Sequence, residues 1–194
     1  MDEPLGSAFF GRDAATVARD LLGCLLVRRL ESGTVTGRIV ETEAYVGPHD
    51  LACHASRGRT PRTDPMFGEA GIAYVYFVYG MHHLLNVVTG PVGDPQAVLL
   101  RGLERWPDPG RDRTLAGPAK LCRALDVDTP RHDRLDLRTG GELFLLPRPA
   151  PLTESVLTTA RIGVDYAGEW AAAPLRFLLA GSPGVSRPRP GPKA

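Results

Sequence analysis

A chain of 194 residues, 43% of them hydrophobic, is long enough to bury a real core as one domain. A formal net charge of +1 excludes bulk basicity as a mark of nucleic-acid binding, so any such signal must be local. The polar, interrupted opening residues and the three cysteines without CxxC spacing (Cys24, Cys53, Cys122) predict a soluble cytoplasmic protein with reduced thiols, no membrane span and no structural zinc.

Asp13 reads as an N-cap, with Val17, Ala18, Leu21 and Leu22 forming the apolar stripe of a helix that Gly23 closes. Residues 24–30 predict a strand, Ser32-Gly33 a turn, and 34–45 its hairpin partner. From Val46 to Gly71 the chain is rich in Gly, Pro and Arg without an apolar period, and a loop of that length is usually functional. Residues 72–79 predict an aromatic strand, 79–83 a turn, 84–88 the return strand and 97–103 a further strand. Residues 104–116 read as a charged surface loop. Gly117-Pro118 opens a short helix through Leu121, Cys122 and Leu125, with proline at its first position. Strands are expected at 142–146, 156–162 and 175–180, with a helical turn at 168–170 between the last two. From Ser182 the Pro- and Arg-rich end is expected to lose order; the domain is drawn as 1–186 and the disordered tail as 187–194. The sum is an α+β single domain, a curved antiparallel β-sheet with an open-barrel-like core, flanked by short helices.

The chemistry-bearing residues gather between 39 and 101. On a strand, Ile39, Glu41, Glu43 and Tyr45 share one face. Carboxylates are depleted in strands and costly to bury, so this pair faces solvent, pairs with Arg38, or lines a site. The stretch from His54 to Thr63 carries Arg57, Arg59 and Arg62 with three hydroxyls and no acid, which suits either phosphate oxygens or plain solvent. Tyr74-Val75-Tyr76-Phe77-Val78-Tyr79 places Tyr74 and Tyr76 on one strand face and Phe77 and Tyr79 on the other. Such a run is core, or a kit for stacking a planar base, with Tyr79 able to project as a wedge beside Gly80 and Met81. Asn86, the one asparagine in the chain, sits in an apolar strand as either a structural amide or a polar reader. Alternation puts Leu99 and Arg101 on one face, and an arginine inside a strand is paired or aimed at an anion.

Arg38-Ile39-Val40-Glu41-Thr42-Glu43-Ala44-Tyr45, Gly47-Pro48, His54, Thr60-Pro61-Arg62 and Met66-Phe67 resemble the alkyladenine (3-methyladenine, methylpurine) DNA glycosylase family. Tyr74-Val75-Tyr76, Tyr79-Gly80-Met81, Asn86, Leu99-Leu100-Arg101, Gly117 to Cys122, Gly168-Glu169-Trp170 and Pro174 to Phe177 continue the resemblance, which runs in order from about residue 7 to Ser186. The resemblance implies Glu43 as general base and Arg101 near the catalytic water and a phosphate. It implies Tyr45, His54 and Tyr76 as the sandwich around a flipped base. Asn86 then discriminates against the guanine 2-amino group, Tyr79 is the intercalating wedge, and Met81 lies on its hairpin. Beside these, the basic loop itself is expected to set Arg57, Arg59 and Arg62 on the DNA backbone, and Glu41 is expected to support the structure. Thr63 departs from the asparagine of many members and Ala172-Ala173 from the basic residues of some. The implied function is hydrolytic excision of alkylated, and also deaminated, purines from double-stranded DNA by a bacterial, monomeric enzyme. It uses no metal or other cofactor and leaves an abasic site. Lys120, in a helix, is given no Schiff-base role.

Two other classes stay in view. A metal-dependent hydrolase would draw on His49, Asp50, His54, His82 and His83, although their spacing fits no standard site. A non-catalytic nucleic-acid-binding module would need no carboxylate beside an aromatic cage.

Overall fold

The structure, a computed structural model, describes residues 3–110 and 112–189. Among these residues eight antiparallel strands form one curved sheet: β1 (Leu25–Leu30), β2 (Gly33–Tyr45), β3 (Ala73–Val78), β4 (His82–Thr89), β5 (Gln96–Arg105), β6 (Leu143–Leu146), β7 (Val156–Thr159) and β8 (Arg176–Leu179). The main order is β3-β4-β5-β2-β1-β6, with β8 joining β2 and β7 joining β8. Four short α-helices accompany it among the described residues: α1 (Ser7–Phe10), α2 (Ala14–Asp20), α3 (Pro118–Ala124) and α4 (Thr129–His132). Among the described residues no helix is long and apolar enough to cross a membrane.

The predicted elements form for the reasons read in the sequence. Asp13 caps α2 by accepting from the Thr16 N–H at 2.9 Å, and Pro118 occupies the first turn of α3. The strand expected at 156–162 stops at Thr159, and in place of a helical turn at 168–170 two 3-10 turns within Asp165–Ala172 meet at a kink at Ala167 and Gly168. Helices α1 and α4, of four residues each, are too short to leave an apolar period in the sequence.

Strand β2 is the spine. Gly33–Arg38 pair with β1, Glu41–Glu43 pair with β8 on the same edge, and β5 runs along the other edge. In the β2–β5 ladder Ile39 faces Leu103, Glu41 faces Gly102 and Thr42 faces Leu100, which leaves Val40 and Arg101 without opposite partners. This irregularity bends the strands and re-aims side chains, as bulges do beside active sites. Val40, Ala44, Val98 and Leu100 join the main core with α2 and α3, and the Thr42 hydroxyl donates to the Ala18 carbonyl at 2.8 Å. Glu41, Glu43 and Tyr45 are left for the opposite face.

The long 46–71 stretch is not a solvated loop. Cys53, Ala55 and Met66 pack with Tyr74, Val88 and Ala97 in a second apolar cluster, through two 3-10 turns at His54–Arg57 and Asp64–Phe67. The end of the chain also departs from expectation, since Ser182, Val185 and Ser186 are buried. Order there comes from side-chain partners far away in sequence, which composition cannot register. Arg187, Pro188 and Arg189 are exposed, and 190–194 lie outside the described residues.

Candidate active site

Glu41 and Glu43 are both fully buried, and the cost is offset by the pairing of every oxygen. Glu43 Oε1 accepts from the Ile162 backbone N–H at 2.8 Å, and Oε2 accepts from the Tyr45 hydroxyl at 3.0 Å and Arg101 Nη1 at 3.2 Å. Glu41 Oε1 accepts from Arg176 Nε at 2.7 Å, the Ser186 hydroxyl at 2.8 Å and Arg101 Nε at 3.1 Å, while Oε2 takes the Ser186 N–H at 2.6 Å. Two carboxylates and two guanidinium groups thus form one buried, hydrogen-bonded centre. Arg38 belongs elsewhere: its guanidinium grips Glu154 at 2.6 and 2.9 Å. Burial alone would weaken the hold of Arg101 on its proton, but the charges of Glu43 and Glu41 overcome it and its pKa stands above the ordinary value.

Beside this centre opens a cavity of about 320 Å³. Tyr45, His54, Tyr74, Tyr76, Asn86 and Arg101 are among the residues on its wall, and Tyr79 lies at its edge. Glu43 stands directly behind that wall, touching Tyr45 and Arg101. The aromatic kit is held firmly. Arg161 lies over the Tyr45 ring with its guanidinium carbon 4.8 Å from the centroid, and it clamps Asp50 with bonds of 2.5 and 2.8 Å. His54 Nδ1 is bonded to the Tyr74 hydroxyl at 2.8 Å, and its ring meets Tyr76 edge-on at 4.5 Å between centroids. Burial, with the nearby Arg62 charge, lowers the His54 pKa to about 4, so the imidazole is neutral at physiological pH. Burial pushes the Tyr74 phenol up to about 12, and burial with the Glu43 charge raises that of Tyr45 well above the usual range. The cage therefore presents neutral rings.

Asn86, opposite Tyr74 in the β3–β4 register, donates Nδ2 to the Tyr74 carbonyl at 3.0 Å while lining the cavity. It is a structural amide and a wall residue together. Tyr79 corrects strict alternation. At φ 55° it has left the strand for a left-handed conformation, so its side chain borders the same cavity as Tyr76 instead of following Phe77. Tyr79 is 85% exposed and Met81 68%, at the tip of the β3–β4 hairpin.

The three loop arginines do not act alike. Arg59 pairs with Asp64 at 2.6 Å and lies over Phe67; Arg62 covers the Tyr76 ring at 5.1 Å; Arg57 is exposed. The histidines of the metal reading are dispersed. His49 packs on Trp170, and His83 is bonded to Thr129 at 3.0 Å. Among the described residues no group of three or more His, Cys, Asp or Glu is placed to hold a metal ion.

Several positions at the site escape a reading of sequence alone. Ser186, Arg176 and the Ile162 N–H touch the charged centre and Arg161 covers its aromatic neighbour Tyr45, each from over a hundred residues along the chain from the glutamates, while Asp50 holds Arg161 in place. The available signal was weak: unusual arginines within the short apolar runs at 156–162 and 175–180.

The family model described as methylpurine-DNA glycosylase (MPG) matches residues 8–183. A protein of Anaeromyxobacter dehalogenans (strain 2CP-1) is 52% identical over 191 residues, covering 98% of this chain and 89% of its own length. One from Myxococcus xanthus is 50% identical, covering 96% of each chain, and one from Methanocella arvoryzae is 45% identical, covering 94% and 96%. All three carry the name "Putative 3-methyladenine DNA glycosylase".

Proposed function

The chain belongs to the methylpurine-DNA glycosylase family, and we propose that it excises alkylated, and also deaminated, purines from double-stranded DNA with a water activated by Glu43. The observation that carries the reading is the Glu43 carboxylate held directly behind the wall of an aromatic cavity by Tyr45 and Arg101. A base inside a duplex is out of reach, so the nucleotide is extruded into the cavity while Tyr79 fills the gap it leaves. The base lies among Tyr45, His54 and Tyr76, whose rings suit the cationic face of an alkylated purine. Cleavage of the N-glycosidic bond builds positive charge on the sugar, as in glycoside hydrolysis. A water admitted between Tyr45 and Arg101 meets Glu43, which takes its proton while the carboxylate's charge stabilises the developing cation.

The product is an intact strand with an abasic site. Lys120, the lysine among the described residues, is exposed on α3 and takes no part in the charged centre. The enzyme works as a monomer in the bacterial cytoplasm.

The test is base release from a methylated duplex, followed by chromatography, with Glu43→Gln alongside. Free methylpurine from the native protein, and a rate at least about a hundredfold lower from the variant with lesion binding retained, is the expected result. Equal release by both would remove Glu43 from the mechanism. Strand breaks appearing without alkali would overturn the monofunctional reading.

A further inference from the structure

The segment Ser182–Arg189 belongs to no strand or helix, yet it closes over the charged centre. Ser186 reaches Glu41 through both its backbone N–H (2.6 Å) and its hydroxyl (2.8 Å), and the hydroxyl oxygen also accepts from Arg101 Nη2 at 3.3 Å. Arg101 Nη1 in turn touches Glu43, so a single guanidinium separates this hydroxyl from the proposed base. Arg176 adds a second tie, binding Glu41 through Nε and the Pro188 carbonyl through Nη2 at 3.2 Å. Upstream the segment is pinned by the Ser182 hydroxyl on Glu104 (2.5 Å) and by Arg113 on the Val185 carbonyl (3.3 Å). It lies flat on β2 and β5: a Cβ on Gly184 would stand 2.6 Å from the Leu103 carbonyl oxygen and 2.8 Å from Val40 Cγ2. That contact falls at the irregularity which leaves Val40 and Arg101 unpaired.

We infer that Ser186, which this strap delivers to the charged centre, is a positioning residue for Arg101, whereas Ser182 only anchors the strap; the conclusion rests on Glu43 as the base. A guanidinium fork with acceptors on Nε, Nη1 and Nη2 has one orientation. Without the Ser186 hydroxyl, Nη2 loses its acceptor and only the bonds of Nε to Glu41 and Nη1 to Glu43 hold the fork, so its angle to Glu43 is less tightly fixed. The strap itself stays in place, because the Ser186 N–H still holds Glu41 and Ser182 still holds Glu104. The loss therefore falls on the chemical step, where small displacements are expensive.

Three variants separate positioning from plain structure: Ser186→Ala, Ser186→Thr and Ser182→Ala, each measured for single-turnover excision, lesion-duplex affinity and thermal midpoint. Ser186→Ala is expected to lower the single-turnover rate roughly ten- to a hundredfold with affinity and midpoint nearly unchanged, and Ser186→Thr to restore most of it. Ser182→Ala is expected to lower the midpoint while the folded protein keeps its rate. A native rate in Ser186→Ala, or parallel losses of rate and midpoint in both alanine variants, overturns the inference. Glu43→Gln run in the same series keeps the two readings apart. Loss there with a native Ser186→Ala sinks the strap alone, whereas a native rate in Glu43→Gln sinks the base assignment whatever Ser186 does.

Discussion

Glu41 and Glu43 share a strand face and full burial, but different neighbours divide their work. Glu41 is held by two arginines and a serine within the interior, whereas Glu43 reaches the cavity wall through Tyr45 and Arg101. Under the proposed function, Asn86 is the candidate for the selectivity of that cavity. With Nδ2 committed to the Tyr74 carbonyl, its amide is a fixed piece of wall for the exocyclic group that guanine bears and adenine lacks. Asn86→Ser is expected to raise excision of guanine-type relative to adenine-type lesions on the order of tenfold. Because the ratio is taken within one variant, a folding defect cancels. His54 supplies a pH signature. Its folded pKa, about 4, lies below the value near 6.5 of an exposed imidazole, so the unfolded chain binds the proton first as pH falls. Stability from this residue is complete above about pH 6.5 and is lost progressively down to about pH 4. His54→Gln should flatten that part of the stability curve in denaturant titrations; an unchanged slope between those pH values would contradict it.

At the scale of the element, the β3–β4 hairpin and the 46–71 segment make separable contributions. The hairpin projects Tyr79 from a left-handed turn position at the cavity edge. Tyr79→Ser should cut excision from paired duplex on the order of tenfold or more, and less when the lesion is mispaired or single-stranded, since unstacking then costs less. Equal losses on every substrate would make Tyr79 a packing residue. In the 46–71 segment the arginines differ in what they have left to give a phosphate. Arg59 is already paired with Asp64, whereas Arg57 is exposed. Arg57→Ala should flatten the log–log salt dependence of binding by roughly 0.9, the value for one neutralised phosphate, and Arg59→Ala by less. The reverse order in a fluorescence-anisotropy titration would refute this ranking.

For the molecule as a whole, the site depends on a closure between the two ends of the sequence. β2 near the start supplies the carboxylates, β5 the arginine between them, and the last described residues the strap. Gly102 and Gly184 permit it, since a Cβ on Gly102 would collide with the Gly184 carbonyl oxygen and one on Gly184 with that of Leu103. Gly184→Ala should therefore lower stability by about 1–3 kcal/mol and also slow excision by the folded protein, because strap and Arg101 move together. Thermal melts and single-turnover rates on the same sample test both; a loss of stability with a native rate would uncouple them.

Local sequence determined a large part of this protein. The period-2 alternation placed Glu41, Glu43 and Tyr45 on one face, Asp13 and Pro118 marked helix starts, and β1 to β5 fall where apolar and aromatic runs put them. Those features are legible because side-chain periodicity and capping act over a few residues. Tertiary structure alone decided the pairing of the two glutamates with Arg101, Arg176 and Ser186, the clamp of Arg161 on Asp50 beside Tyr45, and the anchoring of Ser182 and Ser186. Each of these is an ion pair or hydrogen bond between residues some 60 to 145 positions apart, satisfied inside a water-excluding interior. Nothing in the neighbourhood of Ser186 in the chain signals Glu41; the requirement that a buried charge be met does.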